Sequence, residues 1–295
     1  LVDDALLLIG KSYFYQTEYL KAERKFSELL SQFPTSSLAP EAELWLVKTM
    51  IRLGKNDEAL AVAQSLAQEA SGQGANDLAG ETFFWIGDLQ VLMGNKTKAL
   101  ESFQKVEDFT SDASLLSSSR LKSGTVLFSL GEYARAASAF LKAAELAEDP
   151  AMQFGPKLEA LRSLRAAREY EAALQLAEEM LSDFRFSSVS KEVLFERGLT
   201  YAAQGARMEA MDDYRFVDST SARTEIGAKA AFELAVLLEN QEGDYRRARD
   251  AYSKALSYPV PSIVQQARRR QNALNRYLLL RDQMVVLDSL LAAEM

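Results

Sequence analysis

The chain has 295 residues, 48 % hydrophobic and 26 % charged, a balance that excludes disorder and suits one or two globular domains or one repeat array. A net charge of −8 argues against nucleic acid as the main partner, because neutralising phosphates needs a basic face. With no Cys and no His, the chain has no disulfide, no thiolate or imidazole metal site, no Cys nucleophile and no His base.

No run reaches the ~18 apolar residues that a membrane-spanning helix needs. The sequence opens on Leu1 with no signal peptide in view, so a removed leader or a longer parent chain is expected. Leu6, Ile9, Gly10 and Tyr13 fall on one helical face. A turn is expected at 16–18, and Ala22, Phe26, Leu29 and Leu30 mark a second helix that Phe33-Pro34 ends. A Gly inside a helix costs about 1 kcal/mol relative to Ala. Gly10 therefore predicts two antiparallel helices packed so closely that a Cβ there would sit in the contact. In the connection 33–42, Pro40 suits a first helical turn.

The second copy of this pattern has Val47, Met50 and Ala63 where Gly, Tyr and an aromatic stood. The stretch 70–80 carries Gly72, Gly74 and Gly80 and is expected to be a flexible loop. Its G-x-G is no phosphate cradle, since no strand precedes it and no Lys-Ser/Thr follows. A third copy runs through Phe83, Ile86, Gly87, Ala99, Phe103 and Val106, and a fourth through Gly124, Leu127, Ala136, Phe140 and Ala143. The segment 149–156, with two prolines and a glycine, is expected to be a hinge before the most degenerate copy, which holds Leu161, Leu164 and Ala177. A sixth copy shows Leu194, Gly198, Tyr201, Ala210, Tyr214 and Val217, and a seventh has one additional residue in its turn at 239–244 before Ala248 and Tyr252.

Two series confirm the repetition. Ala22, Ala59, Ala99, Ala136, Ala173, Ala210 and Ala248 recur at intervals of 37, 40, 37, 37, 37 and 38 residues. Leu7, Leu44, Phe84, Leu121, Leu158, Phe195 and Phe232 keep step with them. After Pro261 one long helix is expected from Ile263 to Leu291, its first half a polar-backed cap for the last repeat. Its second half carries two apolar stripes: Leu280, Met284, Leu287 and Leu291, and Leu274, Leu278 and Val285. A cap needs one stripe, so the other points to docking onto a partner, a second copy or further chain.

Carboxylate pairs such as Asp212-Asp213 and Glu178-Glu179 are adjacent in helices and diverge, so they cannot flank one bond. Ser and Lys lie on helix surfaces with nothing to depress a Lys pKa. No enzymatic activity, cofactor or metal is expected.

The Leu6, Ile9, Gly10, Tyr13, Ala22, Phe26, Leu29 and Pro34 spacing resembles the tetratricopeptide repeat signature, and the resemblance extends over about residues 3–261. It implies an all-α, right-handed superhelical solenoid of about seven helix pairs, at 3–36, 40–73, 80–113, 117–150, 154–187, 191–224 and 228–261, followed by a capping or docking helix over 262–295. It also implies that first helices line a concave groove for a partner protein or an extended peptide. The groove positions carried across are Lys11, Phe14, Tyr15, Lys48, Ile51, Arg52, Phe84, Asp88, Val91, Thr125, Phe128, Arg162, Arg165, Phe195 and Phe232. The five cations among them point to an acidic or C-terminal peptide. The family's carboxylate clamp of Lys, Asn and Arg is absent, with Asp4, Leu7 and Leu8 at the places it needs.

The Pro34, Ser36, Ala39 and Ala42 connection resembles that of repeats in bacterial envelope lipoproteins of the outer-membrane assembly, Tol-Pal coordinator and gliding or type IX secretion kinds. This implies a non-catalytic scaffold at the periplasmic side of an outer membrane, attached only through an upstream lipid anchor. The alternative is a cytoplasmic regulator that binds a short peptide.

Overall fold

Each reversal within a helix pair turns on one residue with a positive φ. These residues are Thr17 (62°), Gly54, Gly94, Gly131, Arg168 (64°), Gly205 and Gly243, spaced in step with the repeats. In the first six reversals the next N–H reaches back to a carbonyl of the preceding helix, as Glu18 does to Tyr13 at 2.9 Å and Asn95 to Gln90 at 2.8 Å. This is the left-handed helix stop that satisfies terminal carbonyls and suits Gly, which has no Cβ to strain.

These stops define the helices of a computed structural model that describes residues 1–294, with the side chains at 241, 242 and 294 left aside. The pairs are α1 (Val2–Tyr15) with α2 (Tyr19–Gln32), α3 (Ala39–Arg52) with α4 (Asn56–Gln73), and α5 (Asn76–Leu92) with α6 (Lys96–Phe109). Then come α7 (Ala113–Ser129) with α8 (Tyr133–Leu146), α9 (Pro150–Ala166), α10 (Tyr170–Ser182), and α11 (Ser190–Gln204) with α12 (Arg207–Thr220). The last pair is α13 (Glu225–Leu237) with α14 (Tyr245–Leu256), and α15 (Pro261–Glu294) follows. No strand occurs among the described residues. The chain forms two compact units, Leu1–Ser163 and Leu164–Met295, divided within α9.

The glycine in the first helix has the role its cost implied. A Cβ on Gly10 would stand 2.5 Å from Phe26 Cε1, and one on Gly124 would stand 2.6 Å from Phe140 Cε1. Phe26 is fully buried. The second repeat inverts the arrangement, with fully buried Val47 on the first helix and Ala63 on the second. Bulk moves from one helix to the other while the volume between them stays similar.

Two segments differ from the sequence expectation. Residues 70–80 are not a loop: α4 runs to Gln73, Gly74 closes it at φ +73°, and α5 starts at Asn76. Gly80 lies inside α5, where a Cβ would meet Thr110 Cβ at 3.1 Å. Residues 149–156 form the start of α9 rather than a hinge. Asp149 accepts from the Ala151 N–H at 2.8 Å, and Pro150 occupies the first turn, where a missing N–H is harmless. Pro156 is carried inside the helix. The additional residue of the seventh repeat is absorbed by a π-turn at Leu238–Glu242, the one-residue insertion that widens a helix turn.

Candidate functional site: the inner faces of the two units

In the N-terminal unit α1 lies against α3, α3 against α5 and α5 against α7, while successive second helices stand further apart. The first helices therefore form the inner side of the curve. At its N-terminal end Phe14 sits 5.3 Å from the Trp45 ring and 5.9 Å from Tyr15, in edge-to-face contacts. Tyr15 is 5.8 Å from Trp45 and is 74 % exposed. Lys48 lies over Trp45 at 4.3 Å and beside Trp85 at 5.5 Å, and Lys11 lies 5.4 Å from Trp45. Lys11, Phe14, Tyr15 and Lys48 are thus brought together around Trp45.

Three cations of this face, Lys11, Lys48 and Arg162, are paired. Lys11 binds Glu41 and Lys48 binds Glu81 at 2.6 Å, each joining one first helix to the next. Asp88 pairs with Lys122 at 3.0 Å, and Arg162 with Glu159 at 2.6 Å. Arg52 is exposed. The chain's own carboxylates thus neutralise much of the positive charge expected of this face. Phe84 is half-buried beside Trp85 and Phe103, and Phe128 stands apart, 38 % exposed and 5.0 Å from Tyr133.

In the C-terminal unit the corresponding face carries ion pairs and hydrogen bonds between its own side chains. Arg165 reaches Glu196, which is buried, at 2.5 Å. Burial pushes the Glu233 carboxyl above its usual range against the pull of Arg270 and Arg165. Arg270 pairs with Glu239 at 3.0 Å, and Glu239 accepts from the Tyr252 hydroxyl at 2.6 Å. The Tyr214 hydroxyl is buried without a hydrogen-bond partner among the described residues, and burial raises its pKa above the tyrosine range. Phe195 and Phe232 are core residues, 8 % exposed and packed near Tyr214 and Tyr252, so they offer little to a ligand.

One position of the repeat summarises the two faces. It reads Leu8, Trp45, Trp85, Lys122 and Glu159 in the N-terminal unit and Glu196 and Glu233 in the C-terminal unit. Sequence reasoning passed over it, although the chain's two tryptophans, one repeat apart, were the signal.

The C-terminal helix packs on α13 and α14 through Leu274 and Leu278, both buried. Tyr277 meets Tyr245 at 5.0 Å, and Asp282 pairs with Arg246 at 2.9 Å. On the second half of the helix Leu280, Met284, Val285, Leu287 and Leu291 are all exposed by more than half.

Among the described residues no group of three or more acidic, His or Cys side chains is placed to hold a metal, and no helix is long and apolar enough to cross a membrane. An open cleft of about 540 Å³ between α4, α5 and α6 is lined by Gln64, Phe83, Gln90, Lys98, Ser102 and Lys105.

Models of the tetratricopeptide repeat match residues 7–75, 81–108 and 117–150. No curated protein matches the chain significantly. Among solved structures, the C-terminal part of a TPR repeat-containing protein from Cytophaga hutchinsonii is similar at 15% identity, covering 88% of this chain and 98% of that one, with a TM-score of 0.64. A tetratricopeptide repeat protein from Parabacteroides merdae is similar at 17% identity over 92% and 98% of the two chains, with a TM-score of 0.53. YrrB, described as a TPR protein with an unusual peptide-binding site, shares 16% identity over 70% of this chain and 96% of its own, with a TM-score of 0.52. At such identities the likeness is one of fold. Tetratricopeptide repeat models thus match three stretches of residues 7–150, and helix pairs of the same architecture continue beyond them.

Proposed function

We propose that the chain is a non-catalytic protein-interaction scaffold whose N-terminal inner face grips an extended segment of a partner protein by its apolar and aromatic side chains. The observation that carries this reading is the cluster of Phe14, Tyr15 and Trp45, with Tyr15 turned to solvent and the ammonium groups of Lys11 and Lys48 beside the Trp45 ring. Rigid rings with one wet edge are the side chains that dominate binding energy at interfaces. The peptide-binding site named for YrrB gives a precedent on the same fold.

The test is a selection from a displayed random peptide library on the whole chain, counter-selected on Tyr15→Ala. Enriched peptides with apolar or aromatic residues at alternate positions, bound about tenfold more weakly by Tyr15→Ala, support the reading. Peptides that bind both proteins equally contradict it.

An envelope location is part of this proposal and rests on the Pro34–Ala42 connection. There the Ser36 hydroxyl donates to Asp3 at 2.6 Å and accepts from the Leu38 N–H at 3.2 Å, and Pro40 enters the first turn of α3. Fractionation of cells that express the native gene decides it. Recovery with the outer membrane supports a lipid-anchored scaffold, and recovery with cytosol favours the regulator.

A further inference from the structure

The exposed end of α15 is patterned. Leu280, Met284, Leu287 and Leu291 are spaced by four, three and four residues, the alternation of a two-stranded coiled-coil seam. All four are 54–63 % exposed. At about 100° per residue, this seam lies roughly opposite Leu274, Leu278 and Asp282, the residues that hold the helix to its own unit. Folding back onto the same unit therefore cannot cover it.

We propose that the seam is the contact between two copies of this chain, packed antiparallel about a two-fold axis, a role separate from peptide binding. Charge decides both the occupant and the direction. Arg281 and Asp288 flank the seam on one side, seven residues apart, and neither takes part in an ion pair within its chain among the described residues. When Leu280 packs on Leu291 of the second copy and Met284 on its Leu287, Arg281 of each copy falls beside Asp288 of the other. The helix is complementary to itself in that register. A parallel pairing instead sets Arg276 against Arg281, a like-charge contact. The seam is about 18 Å long at 1.5 Å per residue. A free helix that short is marginal in water because its nucleus is costly. Here the first half of α15 is held by α13 and α14, so the second half extends an existing helix.

The experiment is multi-angle light scattering and sedimentation equilibrium on the whole chain over a concentration series. The wild type is expected at twice its 32.8 kDa mass, and Leu287→Glu at the single mass with unchanged circular dichroism. Arg281→Asp and Asp288→Arg are each expected to weaken the dimer about tenfold, and the double reversal to restore it. A wild type that stays monomeric overturns the proposal, as does a dimer indifferent to Leu287→Glu. A double reversal no tighter than the singles overturns the antiparallel register. None of these outcomes bears on Tyr15, so the two proposals fail separately.

Discussion

On the inner face of the N-terminal unit one repeating position holds Trp45 and Trp85, and on that of the C-terminal unit it holds Glu196 and Glu233. The backbone presents both sets in the same way, from first helices that touch their successors. In the first case rings stay partly wet, and the carboxylates that pair with Lys11 and Lys48 are exposed, so these ion pairs contribute little to stability. In the second, buried Glu196 is paired with Arg165, and Glu239 holds both Arg270 and the Tyr252 hydroxyl. In the proposed reading, the same scaffold position serves recognition in one unit and internal cohesion in the other.

Removing a cation should therefore have unequal effects. Arg165→Ala removes the arginine paired with buried Glu196 and should destabilise the C-terminal unit by about 2–3 kcal/mol in urea unfolding. Lys48→Ala removes a more exposed pair and should cost less than about 1 kcal/mol. Equal losses would erase the distinction between the faces.

Next in size is the close helix contact. Gly10→Ala places a Cβ against a fully buried Phe26, a clash of about 1–3 kcal/mol that helix propensity offsets by at most about 1 kcal/mol. Gly10→Val with Phe26→Ala copies Val47 and Ala63, and the pair should be less damaging than the sum of its singles. Simple additivity would contradict the volume exchange between helices.

Arg168→Gly should stabilise by about 1 kcal/mol, since Arg168 is a non-glycine residue held at φ 64°. A loss on thermal unfolding would show that its side chain matters more than its backbone.

The smallest effect expected is at Glu233. Its raised pKa means that the charged form is penalised in the folded state. The stability linked to its protonation is full below the usual glutamate value of 4.5 and is lost as pH rises through the elevated folded value. Glu233→Gln should stabilise at neutral pH, and the gain should fade as pH falls across that window. A pH-independent difference would assign the effect to packing.

Much of this architecture was legible in the residues. Gly10 and Phe26 announced the close contact, and the additional residue at 239–244 announced an irregular turn that proved to be a π-turn. The turn glycines 54, 94, 131, 205 and 243 carry the same period and were equally readable. Composition misleads at 70–80 and 149–156, because glycine and proline there serve packing against Thr110, in the case of Gly80, and a first helical turn, in the case of Pro150, rather than a loop. The face chemistry was least legible. Lys11, Lys48 and Arg165 look like an unspent positive groove until their partners about one repeat away, Glu41, Glu81 and Glu196, are seen to reach them. Such pairing depends on how neighbouring repeats stack, which no single repeat encodes.

The central claim is that the aromatic end of the N-terminal inner face is where a partner segment binds. The chain's two tryptophans, Trp45 and Trp85, both lie there, so intrinsic fluorescence reports on that face alone. The most direct test titrates a library-selected peptide lacking Trp into wild type, Trp45→Phe and Tyr15→Ala. The account predicts a saturable change in emission for wild type, largely abolished in Trp45→Phe and shifted to about tenfold higher concentration in Tyr15→Ala. A peptide that binds by calorimetry while the tryptophan emission stays unchanged would contradict it.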